Sequence, residues 1–399
     1  MAKKPNDVVI TGIGIVSCHG VGRQSHEALL SGPESPQPVI DNERFAPYPV
    51  HPAPEIDWSE QIPRRGDQRQ MEAWQRLGVF TAGLALDDAG LKEDAELCGS
   101  MDMIVAAGGG ERDVAVDTMI VNKAMSRNDR DHVLNEVLTT ELRPTLFLAQ
   151  LSNLLAGNIS IVHKVTGSSK TFMGEETAGV SALATAFERI RAGQSTHALV
   201  GGAYNAERQD MLLLQEGVQS LAQGAWQPLW SRSNPGGGIV SGSASAFLVL
   251  ESRDHAEARG AQIYAAVGFV DGDRGKRAEG GLEKRLEGLA DRSNVADSSE
   301  ILVLSGASGL YELRDREKQF IADRWPSAAL RGYTGLTGHT LEAQFPIGVA
   351  LGALALKSGA ALPCFDAAAE ADMAGPAKSA IVTAVGFMHG EGLAVLDAE

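Results

Sequence analysis

The sequence predicts an α/β protein made of a duplicated unit, in which helices cover sheets of parallel type. Short apolar runs rich in branched residues alternate with stretches whose apolar residues recur at helical spacing. A turn, a helix and a stopping glycine follow one another from Gly174 to Gly193 and again from Gly338 to Gly359. Buried strands that alternate with helices form sheets covered on both faces. The repeat therefore predicts five layers: helix, sheet, paired central helices, sheet, helix.

In the first half, apolar runs predict strands, and apolar residues at 3.6-residue spacing predict helices. The predicted strands are 7–17, 102–107, 159–163, 197–203 and 244–251. Helices are predicted within 25–30, 64–90, 112–142, 145–155 and 210–230, an irregular segment at 33–63 and a turn at 234–238. Between Gly174 and Gly193 a further helix carries Val180, Leu183 and Phe187 on one face. Glu175 or Glu176 then stands at its N-terminus, where anions and reactive groups are stabilised.

The second half repeats this order of elements. Strands are predicted at 262–270, 300–305 and 392–396, helices at 255–260, 315–325 and 347–357, and a charged, partly irregular segment at 271–299. The Thr337-Gly338-His339 turn precedes the last helix. If the two equivalent helices pack together at the centre, their N-terminal turns face one pocket. Glu176 and His339 are then expected to be neighbours in space.

Length and composition indicate an ordinary globular protein with two or three domain-sized units, of which the internal repeat favours two. The chain has 399 residues, 44% hydrophobic and 22% charged, and we place the units at 1–260, with cap insertions, and 261–399. The net charge of −16 argues against nucleic acid or an anionic membrane as the main partner. The N-terminus lacks a signal-peptide core, and no apolar run approaches membrane-spanning length, so we expect a cytoplasmic protein.

The cysteines and glycine clusters do not match the spacing of metal or nucleotide sites. Cys18, Cys98 and Cys364 are odd in number and far apart, so we expect buried thiols without a disulfide framework or a metal site. The glycines at 12 and 14 lack the third glycine of a dinucleotide-binding turn, and those at 108–110 precede no Lys-Ser/Thr pair. We therefore expect no cofactor.

Ordered motifs along nearly the whole chain resemble the β-ketoacyl synthases of fatty acid and polyketide synthesis. V-V-I-T-G-I-G-I-V-S resembles the opening strand of that family, and L-L-A-G-N-I-S-I with T-G-S-S resembles the segment before its nucleophile. A-L-V-G-G-A resembles the strand after the nucleophile, E-S-R-D-H-A-E-A-R-G-A-Q-I-Y-A the mid-chain motif, and T-G-H the second histidine motif. The resemblance implies a thiolase-like fold and a place among acyltransferases that act with acyl carrier protein.

The positions that carry the chemistry of that family differ in this sequence. E-E-T-A-G-V places Glu176 where the family has its nucleophilic cysteine, and L-S-G-A-S-G-L places Gly306 at the first histidine. Thr334 stands at the lysine position, whereas His339 keeps the second histidine. The closing motif G-F-M-H-G-E keeps Phe387 at the gate position.

These departures imply a subunit that does not condense acyl groups by itself. Condensation needs a thiolate that carries the acyl chain and two imidazoles that bind the oxyanion and assist loss of CO2. Glu176 is a poor carrier, because an acyl-carboxylate anhydride hydrolyses readily. The resemblance therefore implies a chain-length-factor type of subunit that forms a heterodimer with a catalytic ketosynthase, with a homodimer as the alternative.

The resemblance also implies two surfaces that contact proteins. The segment 145–153 matches the dimer interface of the family, where one subunit walls the acyl tunnel of the other. The residues expected to set the depth of the partner's tunnel are Phe147, Leu148, Gln150 and Leu151. The residues expected to dock acyl carrier protein are Arg64, Arg65 and Arg69.

Other interpretations stay open on sequence alone. Taken singly, Glu176 is an ordinary first-turn carboxylate, His339 a buried core histidine and the arginine cluster a solvated helix start. Functionally, the remodelled pocket also fits a malonyl-carrier-protein decarboxylase that uses Glu176 and His339, or an acyl-binding protein without catalysis. The pathway is open too, and we favour a fatty-acyl one such as very-long-chain acyl synthesis over polyketide synthesis.

Overall fold

A computed structural model describes residues 3–32, 34–233 and 237–399. The strands in these ranges are Val8–Ser17 (β1), Gly20–Val21 (β2), Val50–His51 (β3), Asp102–Ala106 (β4), Ser169–Phe172 (β5), His197–Tyr204 (β6), Ser241–Gly242 (β7), Ala244–Ser252 (β8), Ala265–Asp273 (β9), Ile301–Ser305 (β10), Ala329–Gly332 (β11), Ser379–Val385 (β12) and Glu391–Asp397 (β13). The helices are Gly22–Ser31 (α1), Arg65–Gln70 (α2), Ala73–Asp88 (α3), Ala95–Ser100 (α4), Val114–Met125 (α5), Arg130–Thr140 (α6), Thr145–Ala149 (α7), Leu154–His163 (α8), Glu176–Arg191 (α9), Gln209–Gly217 (α10), Arg253–Ala258 (α11), Gly281–Ser293 (α12), Tyr311–Arg324 (α13), Thr334–Thr337 (α14) and Gln344–Ser358 (α15).

One large mixed sheet runs through the molecule in the order β11-β10-β12-β13-β9-β1-β8-β6-β4-β5, with β2 beside β1. In the first half, β4 pairs in parallel with β5 and β6, and β8 pairs antiparallel with β6 and β1. The second half repeats this scheme, with β10 parallel to β11 and β12, and β13 antiparallel to β12 and β9. The two halves join through antiparallel pairing of β1 with β9. The pairing is therefore duplicated, as the repeated turn–helix–glycine pattern predicts.

Three apolar cores separate the layers of this fold. The central core lies between the two halves of the sheet and contains Leu183 and Phe187 of α9 with Ile347 and Leu354 of α15. The second core packs α3 and α8 against the other face of the first half. The third packs α12 and α13 against the second half. Because α9 and α15 contact each other between the halves, the predicted five-layer order is confirmed.

The sheet is not of the parallel type that the sequence pattern predicts. Parallel neighbours need a crossover connection of a dozen or more residues. The link at 386–390 is too short for such a crossover, so β12 and β13 are antiparallel. Strands β5, β11 and β12 are absent from the sequence prediction, whereas β4 and β10 have bounds close to the predicted ones.

Several helices also differ from the sequence prediction. Residues 159–163, predicted as a strand, end helix α8, because Leu155 and Ile159 bury the same face of a continuous helix. The helix predicted across 64–90 is interrupted at Met71, whose backbone is extended (φ −89°, ψ 140°). The segment predicted as partly irregular at 271–299 contains α12, which buries one apolar stripe.

Three smaller findings complete the fold. The three cysteines are buried and free, as the sequence predicts. None of the described helices is long and apolar enough to cross a membrane. Of the predicted turn at 234–238, residues 234–236 lie outside the described residues.

Candidate functional site

The N-terminal end of the central helix α9 lies at the middle of the molecule. Gly174 turns the chain with φ 124°, and Glu175 follows with φ 59° and ψ −143°. Gly179 brings α9 against the turn that precedes α15, since a Cβ there would lie 2.7 Å from the Glu342 carbonyl oxygen and 2.7 Å from Pro346 Cδ. Only a glycine permits this approach.

Glu176 and His339 form a buried pair at this position. His339 Nε2 lies 2.6 Å from Glu176 Oε1, and both side chains are 0% exposed. The backbone N–H of Phe387 donates to the same carboxylate oxygen at 3.0 Å. The Phe387 ring meets the imidazole edge-on, with centroids 5.9 Å apart and planes at 85°. The predicted proximity of Glu176 and His339 is confirmed.

Backbone contacts hold both partners of Glu176 in place. The N–H of His339 donates to the Val240 carbonyl at 2.8 Å, and the His339 carbonyl accepts from the Gly242 N–H at 3.0 Å. The loop 386–390 is held by Arg277, whose guanidinium donates to the Gly386 and Phe387 carbonyls and pairs with buried Glu391. The pair is therefore preorganised by its surroundings.

The space beside Gly306 is filled by other side chains. A Cβ at this residue would lie 2.6 Å from the Thr383 carbonyl oxygen, 2.8 Å from Tyr333 Oη and 3.4 Å from Gln344 Nε2. The Tyr333 hydroxyl donates to the Gln344 carbonyl at 2.9 Å, and the Gln344 amide donates to the Gly306 carbonyl at 2.5 Å. An imidazole at 306 would need all of these groups to move.

Thr334 belongs to the same buried network. Its hydroxyl donates to the Ala307 carbonyl at 2.5 Å, next to Gly306 in the chain. The Gln344 side-chain oxygen accepts from the Thr340 N–H at 3.1 Å and so links this network to the His339 turn. The structure thus brings Glu176, Gly306, Thr334, His339 and Phe387 together.

Two further carboxyl groups lie near the pair. Burial, together with the charges of Glu176 and Glu342, raises the pKa of Glu175 to about 7. Burial also raises the pKa of Glu342, with Glu176 adding to the effect. Burial raises the pKa of the Tyr333 hydroxyl. Each of these groups therefore favours its neutral form, as expected where several acids share a dry environment.

This arrangement offers no accessible nucleophile. The Glu176 carboxylate is fully buried and occupies the Phe387 N–H, which cannot then donate to a substrate oxyanion. The cysteine thiols lie elsewhere and contact the carbonyls of Leu336, Leu91 and Glu370. Among the described side chains, no group of three or more His, Cys, Asp or Glu is placed to hold a metal ion.

The other residues singled out from the sequence lie on the surface. Phe147, Leu148 and Leu151 are 71%, 53% and 41% exposed, and Gln150 is exposed beside them. The cluster of three arginines at α2 is also exposed, and within 3–32, 34–233 and 237–399 it forms no ion pair. Its members are Arg64, Arg65 and Arg69.

Sequence reasoning missed Tyr333, Gln344 and Glu342. Glu342 carries a detectable signal, because a single acid interrupts a long apolar stretch, which indicates a buried titratable group. Tyr333 and Gln344 carry none, because their role depends on which strands and helices meet around Gly306.

A family model, related sequences and a solved structure all match this chain. Residues 5–256, more than half of the chain, match the family model described as β-ketoacyl synthase, N-terminal domain. The 3-oxoacyl-[acyl-carrier-protein] synthase 2 of Vibrio harveyi is 27% identical over 279 residues, which cover 67% of this chain and 63% of that protein. The match therefore spans a little under two thirds of that relative's length.

Two other proteins match over more of the chain. The tetracenomycin polyketide synthase ketoacyl synthase beta subunit of Streptomyces glaucescens is 27% identical over 334 residues, covering 80% of this chain and 77% of that protein. The solved structure of the ishigamide ketosynthase/chain length factor superposes with a TM-score of 0.79 at 21% identity, covering 99% of this chain and 100% of that one. The latter likeness shows a shared fold.

Proposed function

Because the chain belongs to the β-ketoacyl synthase family, whose thiolase-like fold it shares, we propose that it is a non-condensing subunit of the chain-length-factor type. It pairs with a catalytic β-ketoacyl-acyl-carrier-protein synthase in fatty acid or polyketide chain elongation. The observation that carries this proposal is the buried Glu176–His339 pair, 2.6 Å apart at the N-terminus of the central helix. We place Glu176 at the position of the family's cysteine.

The chemistry of the pair supports a structural role. A carboxylate at a helix N-terminus is stabilised by the helix dipole, and this one also accepts a hydrogen bond from the Phe387 N–H and lies 2.6 Å from His339 Nε2. It offers no thiolate for acyl transfer, and its carboxyl group is fully buried. With Gly306 in place of an imidazole and Thr334 in place of an ammonium group, little of the transition-state stabilisation is left.

An exposed sheet edge and an apolar patch supply the surface for a partner. Strand β5 ends the sheet order, so one side of its backbone has no neighbouring strand in that sheet. Phe147, Leu148 and Leu151 are exposed on the segment that the resemblance assigns to the dimer interface. Exposed apolar clusters of this kind favour association with another protein. We propose that a catalytic ketosynthase covers this surface, and that these side chains and Gln150 limit the depth of its acyl tunnel.

The basic cluster supplies a second contact. Arg64, Arg65 and Arg69 are exposed in a protein whose net charge is −16. Because the local charge is opposite to that of the whole chain, it fits an acidic partner such as acyl carrier protein, by charge complementarity.

Co-expression tests the pairing directly. The tagged chain is expressed with each Cys-His-His ketosynthase of the same genome, and complexes are measured by size-exclusion chromatography with light scattering. We expect one stable heterodimer, and a changed acyl product length when that ketosynthase works without this chain. The double variant F147E/L151E should lose the complex. V39E, at a residue with nearly the same exposure as Leu151, should keep it. A homodimer that no ketosynthase displaces would overturn the proposal.

The two other functions make different predictions. A malonyl-carrier-protein decarboxylase needs its substrate to reach Glu176, and that side chain is fully buried. We therefore expect no CO2 release from malonyl-acyl carrier protein by the purified chain, with or without Glu176→Ala. Release that the substitution abolishes would establish catalysis instead. Fatty acid found by native mass spectrometry on the chain without a partner would indicate an acyl-binding protein.

A further inference from the structure

Glu175 has a backbone conformation that L-amino acids rarely adopt. Its φ of 59° and ψ of −143° border a region that is essentially restricted to glycine. Lys164 and Asn294 also have positive φ, but their ψ values of 21° and 30° are those of ordinary helix ends. Glu175 is therefore strained, and the surrounding contacts must hold it.

The side chain of Glu175 lacks the partners that would compensate this strain. It makes no capping hydrogen bond to α9, and its Oε2 is buried without a hydrogen-bond partner among the described residues. A carboxyl group in such a place is tolerated when neutral and is costly when ionised. The energetic cost of the strained Glu175 conformation therefore depends on whether the Glu175 side chain is protonated.

The charged groups around Glu175 come from each element packed against it. Glu176 of α9 and Glu342, in the turn before α15, oppose its ionisation. His339, beside that turn, and Arg274, after β9, favour it. Arg274 is exposed and forms no ion pair within the described ranges. An ionised Glu175 is therefore repelled by two interior acids and attracted by the buried His339 and by Arg274 at the surface.

We infer that Glu175 is a proton-operated latch on the turn at Gly174–Glu175, which is closed in its strained conformation when Glu175 is neutral and relaxes when Glu175 ionises. Glu175 faces two carboxyl groups and the His339 imidazole in the interior, and the unpaired guanidinium of Arg274 at the surface. The gain or loss of one proton on Glu175 therefore shifts the turn between its closed and relaxed conformations. Burial raises the pKa of Glu175 to about 7, so the latch operates near neutral pH. The inference does not depend on whether the chain pairs with a ketosynthase.

Hydrogen exchange of the backbone amides at 175–178 tests this inference on the full chain. Exchange is measured by mass spectrometry from pH 5.5 to 8.5 and corrected for the intrinsic pH dependence. In the wild type, protection should fall by up to about tenfold per pH unit as the pH rises to 7 and level off above 7. The reason is that the closed turn holds the Glu175 proton more tightly, with a pKa of about 7, than a turn in which this carboxyl group is exposed and has its ordinary pKa of 4.5. Glu175→Gln keeps the shape of the side chain without its titration and should stay protected throughout.

Two matched variants separate the latch from a general effect of pH. Glu342→Gln removes a repelling neighbour, so the transition should remain but move to lower pH. It also provides a test if the Glu175 variant does not fold. Glu317→Gln removes a different buried acid, whose pKa burial also raises to about 7, and should leave the transition unchanged. Protection that does not vary with pH in the wild type, or a transition that persists in Glu175→Gln, would overturn the inference.

Discussion

Replacing Gly306 by alanine tests whether the space beside this residue is filled. The added Cβ would lie 2.6 Å from the Thr383 carbonyl oxygen and 2.8 Å from Tyr333 Oη, both closer than van der Waals contact. Neither atom is free to withdraw. The Thr383 carbonyl accepts from the Gly306 N–H at 3.2 Å, and the Tyr333 hydroxyl is held by the Gln344 carbonyl at 2.9 Å.

The expected cost follows from these two contacts. Overpacking a filled interior costs about 1–3 kcal/mol, and displacing Tyr333 leaves a buried hydrogen-bonding group unpaired at about 1–3 kcal/mol. Alanine offsets about 0.4–1 kcal/mol by restricting the unfolded chain, since Gly306 does not have positive φ. We therefore expect Gly306→Ala to lower the free energy of unfolding by about 1–5.5 kcal/mol. Gly306→His should cost more, because its ring needs further space.

Urea unfolding followed by circular dichroism measures these differences. Removing the hydroxyl with Tyr333→Phe should relieve part of the clash, so the double variant should be less destabilised than the sum of the single ones, by about 1 kcal/mol. Gly109→Ala is the control, because a Cβ there meets nothing within 4 Å, and it should stay within about 1 kcal/mol of the wild type. If Gly306→Ala is as stable as the wild type, the space is not filled and the steric reasoning is wrong.

Two further stability predictions concern buried acids. Arg259→Met should cost about 3–5 kcal/mol in urea unfolding, because Glu251 is 0% exposed and loses its guanidinium partner; Arg259→Lys should recover only part of this. A methionine variant as stable as the wild type would contradict the role of the pair. For Glu317, burial raises the pKa from 4.5 to about 7, so the folded state holds the proton more tightly than the unfolded state. Its contribution is largest below pH 4.5 and is lost as the pH rises to 7, by about 3 kcal/mol. As the pH rises from 4.5 to 7, the free energy of unfolding should therefore fall more steeply for the wild type than for Glu317→Gln. Equal slopes would refute the raised pKa of Glu317.

The packing at the centre of the fold can be predicted from the sequence, because the two halves of the chain repeat the same order of turn, helix and glycine. The same turn–helix–glycine order before α9 and α15 predicts that two equivalent helices pack together, and that places Glu176 beside His339. The strand assignments were weaker where local composition is ambiguous. Residues 159–163 alternate in a way that suggests a strand, but they continue α8, since the buried face of Leu155 and Ile159 extends through them. Tertiary packing overrides local preference at such segments.

The filling of the site could not be predicted in the same way. Tyr333 and Gln344 close the space at Gly306 only because β10, β12 and the start of α15 meet there. The resemblance predicts that an imidazole is missing at 306, but which side chains fill the space there is a property of packing. The same holds for the Phe387 N–H, whose acceptor is set by the loop that Arg277 holds.

If Glu176 stands at the position of the family's cysteine, as we propose, the close contact of the central helices explains how the fold is kept with this residue there. Gly179 packs against Glu342 and Pro346, so whichever residue stands at 176 faces His339 and the Phe387 N–H. These groups need a hydrogen-bond acceptor, and burying them without one is costly. A carboxylate satisfies both on one oxygen and gains from the helix dipole. Under the proposed function, a structural glutamate and a catalytic thiol are thus alternative residues for one position. The glutamate accepts the hydrogen bond of the Phe387 N–H, which is then not free to donate to a substrate, so we expect the stability of this centre and condensing activity to oppose each other at residue 176.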